Sequence, residues 1–399
     1  MSPRYLTPFI AALVALSPLA MDSYLPAMPL LAAHFGVSDA ALSWTISNFL
    51  LGLAAGQLLG GAASDQKGRR LVLLTGLCLF VLSSLALSLA DSLLAANSWR
   101  LLQGFAGGVV MVASTAMVKD VTPPDQLAAQ ITQIVFVVML TPIVAPIVGS
   151  LMLPLGWRSI FLLSFGAALI MLVLAWWKVA ETAAQYTNRL SLRDGMAQYV
   201  YIWRFELDGV RMVRWQALSL SCSALLSLVF VTLSSPLLMG YYQLSADMFP
   251  YAFGCFAVSI LIGNRIGKWM VGRYTPLVIF RAGLLVQSVA VASLLLAATL
   301  ISVPLWLCLV LFMTAIGTGS AIGPSGTSLF LNLLDKYYGS ATAYETTQRF
   351  TLGALLGSAA VALPFDLVLS GALVMSLSLL VSILAYWRVS AHWPAEYRQ

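Results

Sequence analysis

An all-α polytopic membrane protein, with twelve transmembrane helices in two six-helix bundles, is the fold class this sequence predicts. Three observations predict it. Of the 399 residues, 60% are hydrophobic and only 9% are charged, too apolar a balance for a soluble core of this size to bury. The apolar residues gather into blocks of about 20, the length that crosses the hydrocarbon as a helix. Lys and Arg fall between the blocks with a strong bias to one side. The net charge of +6 therefore reads as sidedness and not as a nucleic-acid signal.

The first block, 6–31, contains Pro18, Asp22, Pro26 and Pro29. It is too long, and too lacking in a small-residue exit, to be a cleaved leader. A charged Asp at mid-bilayer costs roughly 2.5 kcal/mol or more, which makes Asp22 a functional candidate. Three prolines around it would interrupt helical hydrogen bonding where a transporter unwinds a helix near its site. The plain alternative is an outer loop, with Asp22 at the water interface.

Block two, 40–63, carries Trp44, Asn48, Leu51 and Ala55 along one helical face, with Phe49 and Gln57 beside them. With Tyr24 these residues mix flat apolar faces and a few hydrogen-bonding groups, as small-molecule pockets do. The link to block three, 71–90, reads Gly61-Ala-Ala-Ser-Asp65-Gln-Lys-Gly68-Arg69-Arg70. Gly61 would let two helices approach, Gly68 would allow a tight turn, and Asp65 could cap the next helix or pair with a basic group nearby. It could equally be an ordinary basic loop.

Block four, 93–118, holds Arg100, Gln103 and Gly104. A buried Arg needs a partner, and Asp22 is the natural one; snorkelling to the surface is the alternative. Block five, 128–152, carries Pro142, Ala145, Pro146 and Gly149, a spacing suited to close helix contact and a bend. Block six covers 159–179. A polar segment follows, in which Tyr199 through Phe205 suggest a membrane-surface helix joining the halves. The expected organisation is a bundle over 1–180, a connector over 181–214, and a second bundle over 215–399.

The second half supplies blocks at 215–238, 250–270, 277–300, 304–330, 341–363 and 367–388. It repeats the first weakly at an offset of about 210 residues: Pro236 answers Pro26, Gly317 through Gly319 answer Gly104 through Gly107, and Gly353 through Gly357 answer Pro142 through Gly149. Block eleven carries Glu345, Gln348 and Arg349. Glu345 and Arg349 stand one turn apart and lie roughly 7 to 14 Å in from the nearer helix end. They form either a self-neutralised pair or the wall of a polar cavity that binds substrate. Asn332 with Asp335, and Asn264 with Arg265, read as helix-end contacts. Cys78, Cys222, Cys255 and Cys308 have neither disulfide nor metal spacing and read as small core residues.

With the N-terminus inside, the inner side collects Lys67, Arg69, Arg70, Lys119, Lys178, Arg189, Arg193, Arg204, Arg211, Arg214, Lys268, Arg273, Lys336, Arg388 and others. Outside lies Arg158, beside Asp39, Asp91, Asp247 and Asp366. Both chain ends are thus expected in the cytoplasm.

The link at 61–70 resembles the Gly-x-x-x-Asp-x-x-Gly-Arg-Arg signature of the major facilitator superfamily. Arg100-x-x-Gln103-Gly104 looks like the fourth-span motif of its drug exporters. Pro146-Ile-Val-Gly149, with Ala145 in place of a Gly, is similar to its antiporter motif Gly-Pro-x-x-Gly. The run Asp22-Ser-Tyr24-Leu-Pro26-Ala-Met-Pro29, Lys119-Asp120, and Gly156-Trp157-Arg158-x-x-Phe161 resemble the Bcr/CflA branch. The likeness is dense over 20–162 and thin beyond about 215. It implies the twelve-helix fold and export of amphipathic antimicrobials against protons. Asp22 and Arg100 would handle the proton, and Asp65, Arg69 and Asp120 would form a latch between the bundles.

No phosphate-cradling loop, His-rich cluster or catalytic domain is legible, so no enzyme is expected. Transport would draw on the proton gradient with no cofactor. The expected partners are an amphipathic small molecule, protons and the bilayer, with the chain acting as a monomer in a bacterial inner membrane. A proton-coupled metabolite or siderophore carrier, and a non-transporting ligand sensor, are the alternatives.

Overall fold

The computed structural model describes residues 3–182, 192–206, 211–334, 338–390, 392 and 393. Arg189, Asp208, Asp335 and Lys336 lie outside them, as do the side chains of Arg4, Arg193 and Asp194. Among the described residues all regular structure is helical. Eleven helices among the described residues are long and apolar enough to cross a membrane. The remaining block, eleventh in chain order, forms the helix Tyr338–Ala362, long enough to span but more polar than the rest. Glu345, Gln348 and Arg349 supply much of that polarity. Helices are called spans one to twelve below, in chain order.

The chain divides into two compact units, Met1–Gly195 with Leu244–Phe253, and Met196–Gln243 with Gly254–Gln399. In the first unit span one packs on spans four, five and six, span two on span four, and span three on spans four and six. In the second, span seven packs on spans ten, eleven and twelve, and span nine on spans ten and twelve. The pairings of spans one and three recur in spans seven and nine under a shift of six spans.

What makes the correspondence physical is the placement of glycine. A Cβ on Gly52 would lie 2.0 Å from the carbonyl oxygen of Leu101; on Gly56, 2.0 Å from that of Phe105; on Gly104, 1.9 Å from that of Phe49. Spans two and four therefore touch backbone to backbone, which only glycine permits. In the second unit a Cβ on Gly263 would lie 1.9 Å from the carbonyl oxygen of Gly317, and one on Gly267 2.3 Å from that of Ala321. Gly61, expected at such a contact, has only the Val112 side chain at an ordinary 3.5 Å. The close approach is made one residue earlier, where a Cβ on Gly60 would sit 3.0 Å from the Val109 Cα.

Span seven is the hub of the second unit. Ser219, Ser221 and Ser223 alternate along it, fully or almost fully buried. Ser219 shares a hydrogen bond with Ser382 on span twelve, Ser221 donates toward Glu345 on span eleven, and Ser223 donates to Gln287 on span nine. The helix Leu192–Arg204 precedes it; Ile202 is fully buried while Val200 and Trp203 are exposed. Of the four cysteines expected in the core, Cys222 and Cys308 are buried but Cys78 and Cys255 are exposed. A small apolar thiol is as acceptable on a span's outer face as inside it.

Candidate functional site

The helix of span one runs Pro3–Asp22, through Pro18 without a break, and stops at Asp22. Pro26 has no N–H to give the carbonyl of Asp22 four residues back, so the helix cannot continue there. A short 3-10 turn, Leu25–Ala27, and a helix, Met28–Phe35, complete the span. Asp22 is 2% exposed, and its Oδ1 has no hydrogen-bond partner among the described residues. Span five closes directly on this break. A Cβ on Gly149 would lie 2.0 Å from the Ser23 carbonyl oxygen and 3.1 Å from Pro26 Cγ. Pro142 and Pro146 lie inside a continuous helix, Pro124–Met152.

Arg100 is 1% exposed. Its Nη1 donates to the Ala20 carbonyl at 3.3 Å and to Gln103 Oε1 at 2.9 Å. Gln103 is held in turn by donating to Ser84 Oγ at 2.8 Å. The guanidinium carbon lies 4.3 Å from the Tyr24 ring centroid, 5.0 Å from Phe49 and 5.6 Å from Phe161. The expected Asp22–Arg100 ion pair is absent among the described residues. Arg100 reaches instead for the backbone two residues before Asp22, and three ring faces supply the negative potential a carboxylate would have given.

The link between spans two and three is compressed to one residue, Gly68, whose φ of 95° is a glycine conformation. Arg69 pairs with Asp65 and, at 3.0 Å, with Asp120 at the end of span four. Its Nη1 also donates to Ser64. Glu181, just past span six, accepts from the backbone N–H groups of Arg69 and Arg70 at 2.9 and 3.2 Å. Arg70 donates to the Trp176 carbonyl. These partners all belong to the first unit. Glu181 had no signal in the sequence: a helix-capping carboxylate borrowed from a distant segment leaves no local pattern.

The residues expected to line a cavity are placed unevenly. Tyr24 and Gln103 are fully buried and belong to the surroundings of Arg100; Gln57 is buried, with its amide on Met111 Sδ. Trp44 is exposed, and Asn48 donates to Asn97. In the second unit Glu345 is 5% exposed. Ser221 donates toward Glu345 Oε1 at 3.3 Å and Gln348 Oε1 at 3.4 Å. Arg349 Nη1 stands 4.0 Å from Glu345 Oε1, a loose pair beyond hydrogen-bond reach.

The family model described as Major Facilitator Superfamily matches residues 10–358. The chain belongs to the major facilitator superfamily. This superfamily member is 27% identical over 382 residues to a bicyclomycin resistance protein homolog of Haemophilus influenzae, covering 95% of this chain and 94% of that one. It is also 27% identical over 393 residues to the multidrug resistance protein MdtL of Salmonella newport, covering 97% of each. Among solved structures it resembles a POT family transporter in complex with 5-aminolevulinic acid, with TM-score 0.76, 13% identity, and 97% and 96% of the two chains covered. A D-xylose-proton symporter gives TM-score 0.73 at 16% identity, over 94% and 96% of the chains. These structures share the fold; the drug-resistance relatives agree with the branch that the first-span run resembles.

Proposed function

We propose that this superfamily transporter exports amphipathic, drug-like small molecules across a bacterial inner membrane in exchange for protons, by alternating access. Asp22 carries the proton, Arg100 tunes its release, and the Arg69 cluster is part of the conformational latch. Both chain ends face the cytoplasm, no cofactor takes part, and the chain works as a monomer. The observation that carries the reading is the lone Asp22 carboxyl, buried at a helix break with a buried cation beside it. Burying an acid is far less costly when it is neutral, so such a group takes up a proton readily and gives it up when its surroundings change. Substrate and proton need not touch to be coupled, since each biases the same equilibrium between states. The drug-resistance relatives support the substrate class.

The test is proton-driven efflux from proteoliposomes under an imposed pH gradient. Asp22→Asn should abolish coupling while leaving the protein folded; coupled transport surviving in that variant would overturn the assignment.

A second reading, a carrier of zwitterionic or anionic metabolites, rests on the loose Glu345–Arg349 pair. A cation whose N–H groups are not engaged by its neighbouring carboxylate suits an anionic substrate group. Arg349→Ala should then lose at least tenfold of the transport of a zwitterion while sparing a lipophilic cation; equal losses count against this reading. Saturable binding without flux in liposomes would indicate a sensor.

A further inference from the structure

The Arg100 guanidinium has an empty edge. Nη1 is used twice, but Nε and Nη2 are buried without partners. Those two N–H groups point the same way and form the fork that binds a carboxylate with two parallel hydrogen bonds. Among the described residues of the surrounding spans, one carboxylate is left to fill it. Span three, which holds Gln103 by way of Ser84, has Arg69 and Arg70 at its start, Cys78 within it, and no acid. Span five has no titratable residue between 129 and 155, and span six has only Arg158 and Lys178 at its ends. Span two has Asp39, Asp65 and Lys67 at its ends, and span four has Lys119 and Asp120 at its far end. His34, on the last helix of span one, packs with its ring tilted against Trp157. Asp22, beside the carbonyl that Arg100 already holds, is left.

Tyr24 is what occupies Arg100 in its place. Its ring is the nearest of the three faces, and its hydroxyl is 2.7 Å from Thr45 Oγ1. Thr45 gives its own hydrogen to the Leu42 carbonyl, so the Tyr24 O–H donates and the ring is pinned from its far end. Phe161 supports the same ring at 5.7 Å. Tyr24 also lies two residues from Asp22, within the helix break.

We propose that Tyr24 is a positioning residue for proton coupling: its pinned ring competes with the Asp22 carboxylate for the Arg100 guanidinium and so sets the pH at which Asp22 releases its proton. The inference rests on the reading of Asp22 as the coupling acid. When the Asp22 O–H bond breaks, the proton passes to water, and the carboxylate takes the Nε and Nη2 hydrogens of Arg100. The guanidinium leaves the Tyr24 face. Reprotonation reverses both moves, and no other bond forms or breaks.

The experiment titrates the Asp22 carboxyl band by infrared difference spectroscopy on purified full-length protein, with Asp22→Asn assigning the band. Tyr24→Leu removes the competing ring and should lower the midpoint by about one pH unit, the low end of the effect of an opposite charge on a neighbouring acid. Tyr24→Phe keeps the ring but loses the hydroxyl that pins it, and should fall between the parent and Tyr24→Leu. Thr45→Val frees the hydroxyl in a near-isosteric protein and should fall between them, which keeps the test intact if Tyr24→Leu fails to fold. In an Arg100→Gln background these substitutions should leave the midpoint where Arg100→Gln alone puts it. An unchanged midpoint in Thr45→Val or Tyr24→Leu, with the band still assigned to Asp22, overturns the role of Tyr24 and leaves the coupling reading standing. A band that survives Asp22→Asn unchanged overturns the coupling reading itself.

Discussion

Arg69 serves several partners at one end of the first unit. Its side chain is 16% exposed, against 23% for Asp120 and 51% for Asp65. The pair with Asp120 is thus the better shielded from water and salt, and exposed pairs contribute little. Asp120→Asn should destabilise the protein by about 1 kcal/mol and Asp65→Asn by about half of that or less, read from denaturation in detergent, with both losses shrinking at high salt. Glu181→Ala should cost a comparable amount, about 1 kcal/mol, because two N–H groups at a helix start lose their anionic acceptor. Gly68, Asp65 and Arg69 could be singled out from their spacing alone, because a tight turn and a helical pair are local. Glu181 and Asp120 reach Arg69 from 112 and 51 residues away. Asp120 was legible only through resemblance, and Glu181 not at all. Asp22 and Arg100 stood out because charge in an apolar block is conspicuous. That rings, and not Asp22, cover Arg100 was hidden, because Tyr24, Phe49 and Phe161 look like any other packing aromatics.

Among the elements, the glycine seams, between spans two and four and between spans eight and ten, are the least forgiving. Side chains elsewhere can shift to accept a methyl group, but a carbonyl oxygen 1.9 to 2.0 Å from a new Cβ cannot move without moving its helix. Gly104→Ala or Gly56→Ala should cost roughly 1–3 kcal/mol and lower the melting temperature measured in detergent, whereas Gly61→Ala should be near neutral. Gly149→Ala should act on function as well as stability, since it would push span five off the Ser23 carbonyl and the break at Asp22. Helical periodicity identifies the face on which small residues gather. It does not say which of two adjacent glycines lies deepest, and the choice between Gly60 and Gly61 turned on that depth.

For the whole molecule, twelve apolar blocks were countable because the bilayer imposes one length on every crossing. Block eleven blurs the count through its own polar residues, which are also the features that favour a charged substrate. The repeat was faint in the residues yet is plain in the packing of both units. Sidedness is open to direct measurement. In a cysteine-free background, Asp91→Cys should react with a membrane-impermeant maleimide in intact cells, and Lys67→Cys only after permeabilisation; the reverse pattern would invert the proposed topology. The glycine seams also bear on how such a transporter can evolve. In a random library selected for transport, positions 52, 56, 104, 263 and 267 should stay invariant, while Gly166 and Gly254, which have open space around them, accept change. New substrate preferences must then arise from side chains away from the seams, with the paired helices held constant as the frame on which they are tried.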